Sequence, residues 1–381
     1  MTPAAALPAE GLRFRGLWLI SPRADLAIVA LPLGLMLVGL VTATLMGQSA
    51  DGPVNRLAIW TTQNILGNAT HVALTWLFLG VRPEVLKAIP EQPRQVATGI
   101  PLMALVALGM FALYRYDKTA QLYVAATIFN VFGIHHFLSQ SKGWWALHHL
   151  RGRIAGLPAP PAAEHRLLKA MVPLNLVLIL TRIFLVPESR VAGDTPYIDI
   201  GQGPQLPYST LALLLVVWLC YWVAVFRTLL RSEGRSGPKV LYLLAVSFGV
   251  GLLLVTPPWG NIVLPGMHGV EYYLLTAKLL EQRPGDAHRL PHRAIWPTMV
   301  GVMVPLCALG AVSALAGGVA NGAVGSLVIS RLTESVWWRL AVTTAFTVVL
   351  SHYWADALIF RFRIPQIRSV MLGRLGLDPG K

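Results

Sequence analysis

Charge is what this sequence has least of. Only 13% of its 381 residues are Asp, Glu, Lys or Arg, while 55% are hydrophobic. A soluble domain is about 25% charged, so this chain lacks the polar cover a water-facing surface needs. Cysteine is nearly absent. Cys220 and Cys307 both lie inside apolar runs with no CxxC, which excludes a disulfide framework and a thiolate zinc site, and they read as small core residues. No HExxH, CxxCH, Walker A loop or post-strand GxGxxG occurs. That argues against a zinc protease, covalently attached haem, P-loop ATP hydrolysis and a dinucleotide-binding fold.

What is there is apolar and comes in blocks about twenty residues long, the length that crosses a bilayer as a helix. The expected spans are 25–46, 58–81, 97–114, 121–141, 167–186, 206–229, 239–256, 260–280, 296–318 and 338–360. Helices satisfy their own backbone in lipid, so the expectation is an all-α polytopic transmembrane bundle of about ten helices. Residues 1–24 form an N-terminal segment, 25–361 a single membrane domain and 362–381 a basic tail. The Gly-rich stretch near 319–336 leaves room for a re-entrant segment. Leu26–Met46 is too long for a signal-peptide core and reads as a retained first helix.

The net charge of +14 does not point to nucleic acid, because the basic residues sit in short loops between apolar blocks. Of the 31 lysines and arginines, all but Arg56, Arg115, Lys118, Arg182, Arg190, Arg331 and Arg339 fall on one side of the ten-span layout. By the positive-inside rule that side is cytoplasmic, so both termini are inside and the protein belongs in the inner (cytoplasmic) membrane. Trp144, Trp145, Trp259, Trp296, Trp337 and Trp338 fall at span ends, as interfacial aromatics do. The tail Arg363–Leu377 alternates Ile364, Ile367, Val370, Met371 and Leu375 with arginines, the pattern of a short amphipathic helix on the inner leaflet.

Four even-numbered spans each carry a buried-looking histidine. His71 precedes Thr75, His136 precedes Gln140, His268 precedes Glu271 and Tyr272, and His352 precedes Asp356, each by three or four residues. At that spacing the pairs share a helix face. His71 is eleven residues before Arg82, His136 six before Lys142, His268 ten before Lys278 and His352 nine before Arg361. At 1.5 Å per residue the depths are about 16, 9, 15 and 14 Å above the inner boundary, one layer in the inner half of the bilayer. Ionisable groups at such depth suggest function. Imidazole with carboxylate is a ligand set for iron, zinc, manganese or copper. The candidate metal ligands are His71, His135 or His136, His268 and His352, with Glu271 and Asp356 completing the set, orienting a histidine or acting in catalysis. A metal-free polar site and interhelical packing are the alternatives. His148 and His149, and the proline-containing HxxxH of His288 and His292, read as loop or interfacial histidines on the same side.

The stretch His136–Gly143 reads HFxxQxxG and His352–Arg361 reads HYxxDxxIFR. Both resemble motifs of histidine-rich bacterial polytopic membrane proteins, in the style of the Brp/Blh carotene-cleaving oxygenases and, more distantly, membrane desaturases and hydroxylases. The resemblance implies an iron-dependent oxidoreductase, with a lipid or isoprenoid substrate and an electron-transfer partner. The desaturase HxxHH box is absent, and no ligand is carried over. The Met267–Tyr273 stretch faintly resembles the histidine region of membrane-bound O-acyltransferases, which implies an alternative: a metal-free lipid acyltransferase with His268 as base. A third reading is a transporter or haem-binding electron carrier, with Pro257–Gly260 and Pro265–Gly266 breaking the eighth helix.

Overall fold

The computed structural model describes residues 16–47, 118–190, 205–232, 235–280, 351–356 and 365–377, with residue 196 and scattered helical positions within 71–78 and 101–112. Among the described residues the fold is all-helical, without strands; one isolated bridge pairs Pro187 with Pro196. The helices are α1 (Pro22–Leu45), α2 (Lys118–Ile154), α3 (Ala162–Leu185), α4 (Thr210–Arg231), α5 (Gly237–Val255), α6 (Pro257–Leu280) and α7 (Pro365–Arg374). Residues 71, 74, 75 and 78, and residues 351–356, are also helical. Four helices, α1, α3, α4 and α5, are long and apolar enough to cross a membrane. The expected spans 58–81, 97–114 and 338–360 are described only in part. The expected span 296–318, the 319–336 stretch, His288 and His292 lie outside the described residues.

Local sequence explains where these helices begin and end. Ser21 caps α1 through its hydroxyl, which accepts from the Ala24 N–H at 3.2 Å, and Pro22 takes the first turn. Asp25, also in that turn, reaches back to accept from the Leu19 and Ile20 amides at 2.6 and 3.1 Å. α2 runs 37 residues without a break. That is about 55 Å, well beyond a hydrocarbon core of about 30 Å. The sequence expects a span ending at 141 and a separate interfacial piece for Trp144–His149; instead the helix simply continues. It stops at Gly156, whose φ of +75° suits glycine, with the Leu157 and Gly156 amides bonded to the Gly152 and Arg153 carbonyls at 2.9 and 3.0 Å.

Neighbouring helices alternate in direction. At one face the start of α3 meets the end of α2 and the start of α5, where Glu164 bonds to His149 and Lys239. At the other face Arg182, near the end of α3, donates to the Leu254 carbonyl of α5 at 2.7 Å and to the Val186 carbonyl at 2.9 Å. These are carbonyls that helix C-termini leave unpaired, and a guanidinium there also suits the helix dipoles.

α4 has one face inward and one face outward. Leu211, Leu214, Trp222, Val225 and Leu229 face inward, while Leu213, Val216, Leu219 and Val223 are exposed. An outer surface of bare leucine and valine is costly in water and natural in lipid. α6 is the opposite case: every residue from Pro257 to Tyr272 except Asn261 is buried. A helix enclosed on all sides belongs to the middle of a bundle, and α6 packs on α1, α5 and α2. Its start is pressed against α5, because a Cβ on Gly260 would overlap the backbone of Leu253. Pro257–Gly260, which the transporter or haem-carrier reading offered as a helix break, form the first turn of α6, and the helix passes through Pro265 intact.

The tail contains a short helix. α7 buries Ile367 and Met371 completely, and the residues after it bury Leu375 and Leu377. Arg374 Nη1 reaches the Leu279 carbonyl at the end of α6, 3.5 Å away. Ile367 and Met371 on this helix therefore pack on protein.

Candidate metal centre

His71, His136, His352 and Asp356 converge from three helical segments that are remote in sequence. One ligand atom from each lies within 4.8 Å of the others. Asp356 is the hub. Its Oδ2 lies 3.0 Å from His71 Nε2 and 3.4 Å from His136 Nε2. An ion held at about 2.0–2.2 Å from nitrogen and oxygen donors keeps neighbouring donors about 3.0–3.5 Å apart, so these spacings fit a coordination sphere. The His352 ring stands 4.6 Å from that of His71, nearly perpendicular to it. His71 and His352 are completely buried, and Asp356 is 3% exposed.

The other oxygen of Asp356 is occupied separately. Oδ1 accepts from Thr75 Oγ1 at 2.9 Å and from the Tyr272 hydroxyl at 3.0 Å, and these two hydroxyls lie 2.6 Å apart. The carboxylate is thus held from behind, with Oδ2 aimed at the histidines. Such outer hydrogen bonds fix a ligand's orientation and strengthen binding. Among the described residues no lysine or arginine is bonded to Asp356; its neighbours there are imidazoles and hydroxyls. The set can hold a divalent or trivalent metal ion, as three imidazoles and a carboxylate commonly do.

The remaining expected residues fall around this group. His268 lies against it, with ring centroids 4.4 Å from His71 and 4.7 Å from His136, but outside the four mutually close donors. Both of its ring nitrogens are buried without a hydrogen-bond partner. Glu271, one turn further along α6, accepts from the Tyr242 hydroxyl at 2.7 Å and from Gln140 Nε2 at 2.8 Å, and is fully buried. Gln140 also donates to the His268 carbonyl at 3.1 Å. Of the adjacent pair, His136 turns inward and His135 sits on the exposed face of α2, away from the centre. Consecutive helical residues point about 100° apart, so only one of the two can serve. His148 and His149 belong to the lower part of α2, where His149 bonds to Glu164.

Thr75 and Tyr272 lie on the same polar stripes as the histidines, and their i+4 spacing is their signal. Tyr242 has none, since it sits on an apolar helix and only tertiary packing brings it to Glu271.

Comparison of the chain with protein-family models, with curated proteins and with solved structures finds no match.

Proposed function

We propose that this protein is an integral membrane oxidoreductase whose centre is a non-haem metal, iron first among the candidates, held by His71, His136, His352 and Asp356. The convergence of three imidazoles on one carboxylate inside a lipid-facing bundle is the observation that carries this reading. Iron fits a mixed imidazole and carboxylate set that has room for further ligands. Haem suits the geometry less well. Two axial imidazoles need a macrocycle between them, whereas the rings of His71, His136, His268 and His352 are packed at 4.4–5.5 Å.

The substrate class follows from the surroundings. The centre lies in a bundle whose described outer helices α1 and α4 expose leucine and valine, which supports a lipid or isoprenoid that reaches it from the membrane. His136, at 15% side-chain exposure, is its most accessible ligand. Electrons come from a separate redox partner, as in the histidine-rich membrane oxygenases this chain resembles. The bundle has about ten spans in the inner membrane. Arg151, Arg153, Arg166, Lys169 and Lys239 cluster at the face where α2 ends and α3 and α5 begin, which supports a cytoplasmic assignment for that face and both termini inside.

One observation favours a runner-up. The unpartnered nitrogens of His268 suit a general base in a metal-free lipid acyltransferase.

Elemental analysis and an optical spectrum of the detergent-purified chain decide between them. The expected result is about one iron per chain without a Soret band, lost in His136→Ala and His352→Ala and kept in His268→Ala. Iron retained in both ligand variants overturns the assignment.

A further inference from the structure

Most of the metal centre is buried, and polar groups lie in line between it and the face where α2 ends. Glu271 and Gln140 sit one turn of α6 and α2 beyond His268 and His136, toward the face where α2 ends. Glu271 Oε1 accepts a 2.7 Å hydrogen bond from the Tyr242 hydroxyl. Tyr242 in turn lines a cavity of about 10 Å³ at the start of α1, together with Trp18, Asp25, Trp144 and His148. That volume suits about one water molecule, provided polar partners are present. They are: His148 Nδ1 is buried there without a hydrogen-bond partner, and Asp25 contributes a carboxylate already anchored on the Leu19 and Ile20 amides.

We propose that Tyr242 and Glu271 form a proton route from this one-water cavity to the metal centre. The inference rests on the centre being a redox metal site. Glu271 starts as the neutral acid; on reduction of the centre its proton goes to an unpartnered ring nitrogen of His268, one turn back on α6 and in ring contact with His71 and His136, where the added positive charge offsets the electron. Tyr242 then passes its hydroxyl proton to the Glu271 carboxylate and takes one from the cavity water, which takes its own replacement proton from the aqueous phase. One proton moves in per electron, each bond made is matched by one broken, and no net charge is left on Tyr242 or Glu271. Gln140, with its amide donating to Glu271 Oε2 at 2.8 Å, holds the carboxyl in line and does not itself relay. Tyr242 and Glu271 are positioning and relay groups; the four metal-ligand residues are untouched by them.

The test uses the full chain, purified in detergent and loaded with iron. A laser-excited ruthenium polypyridyl complex delivers one electron while a pH-indicator dye in weak buffer reads proton uptake. The wild type is expected to take up about one proton per electron. Tyr242→Phe and Glu271→Gln are expected to keep their iron and accept the electron, but to take up the proton about a hundredfold more slowly, the lower end of what a positioned proton donor contributes. Tyr242→Phe removes a single hydroxyl, so it carries the test even where Glu271→Gln fails to fold. Iron present with wild-type proton uptake in Tyr242→Phe overturns the route alone. Wild-type chain without bound metal overturns the centre, and the route with it.

Discussion

Two buried carboxylates, Glu164 and Asp356, each gather histidine, and the contrast between them separates a fastening from a site. Glu164 Oε1 is bonded to Trp145 Nε1 at 3.0 Å, His149 Nε2 at 2.6 Å and Lys239 Nζ at 3.0 Å. One permanent cation, Lys239, neutralises it, and the cluster ties α2, α3 and α5 together. Asp356 has two histidine nitrogens on Oδ2 and two hydroxyls on Oδ1, with a third histidine close by. Among the described residues no side-chain ammonium or guanidinium is bonded to it. A buried carboxylate needs a compensating charge. Glu164 has its own from the chain, whereas at Asp356 the proposed metal ion would supply it.

The sharpest way to break this contrast is to remove the lysine. Lys239→Ala leaves Glu164 buried without its cation and is expected to cost about 3–5 kcal/mol of stability, read as a lowered unfolding midpoint in detergent with metal content unchanged. A loss below about 1 kcal/mol would mean that the histidine and tryptophan alone balance the charge. At the other carboxylate, Asp356→Asn keeps the shape and removes the charge. Metal affinity is expected to fall by more than about a hundredfold, or about 2.7 kcal/mol, in a competition titration with a chelator, while the unfolding midpoint of metal-free protein changes little. Unaltered affinity would show that Asp356 is no ligand. Thr75→Val tests the support behind that carboxylate. The expected loss is about tenfold in affinity, the lower end of what outer hydrogen bonds contribute, and an affinity equal to wild type would leave Tyr272 as the sole orienting group. The smallest effect belongs to His135→Ala. On the exposed face of α2 it is expected to move stability by no more than about 0.5 kcal/mol and to keep full metal content. Metal lost in that variant would reverse the choice between His135 and His136.

Much of the site was legible before any coordinates. The four histidines stood out because each has a polar residue one helical turn away, and because their distances from the nearest basic loop residue agreed. That depth argument placed His71, His136, His268 and His352 in one layer, and in the structure their rings do meet. It could not rank them. Distance along a helix says how deep a side chain lies, not toward which neighbour it turns. Hence His135 stayed level with His136, and His268 level with the three histidines that share Asp356. Glu271 looked equivalent to Asp356 for the same reason; packing instead turns it to Tyr242 and Gln140. Helix ends were read less well than helix centres. The run from Trp144 to His149 resembled an interfacial piece because charge enters there, yet no breaker interrupts α2 before Gly156.

By itself, the sequence determined the solvent and the grammar of this protein. Apolar blocks long enough to span a bilayer demand helices, because lipid offers the backbone no hydrogen bonds, and Ser21, Pro22 and Gly156 mark where particular helices start or stop. Only the tertiary structure decided which polar residues face one another. The tail helix packed Ile367 and Met371 on protein, since an apolar face is satisfied by protein as well as by lipid. Asp356 and not Glu271 became the hub, because the crossing of three helical segments brought one carboxylate oxygen within about 3 Å of two imidazoles, a geometry that no spacing along one chain can encode.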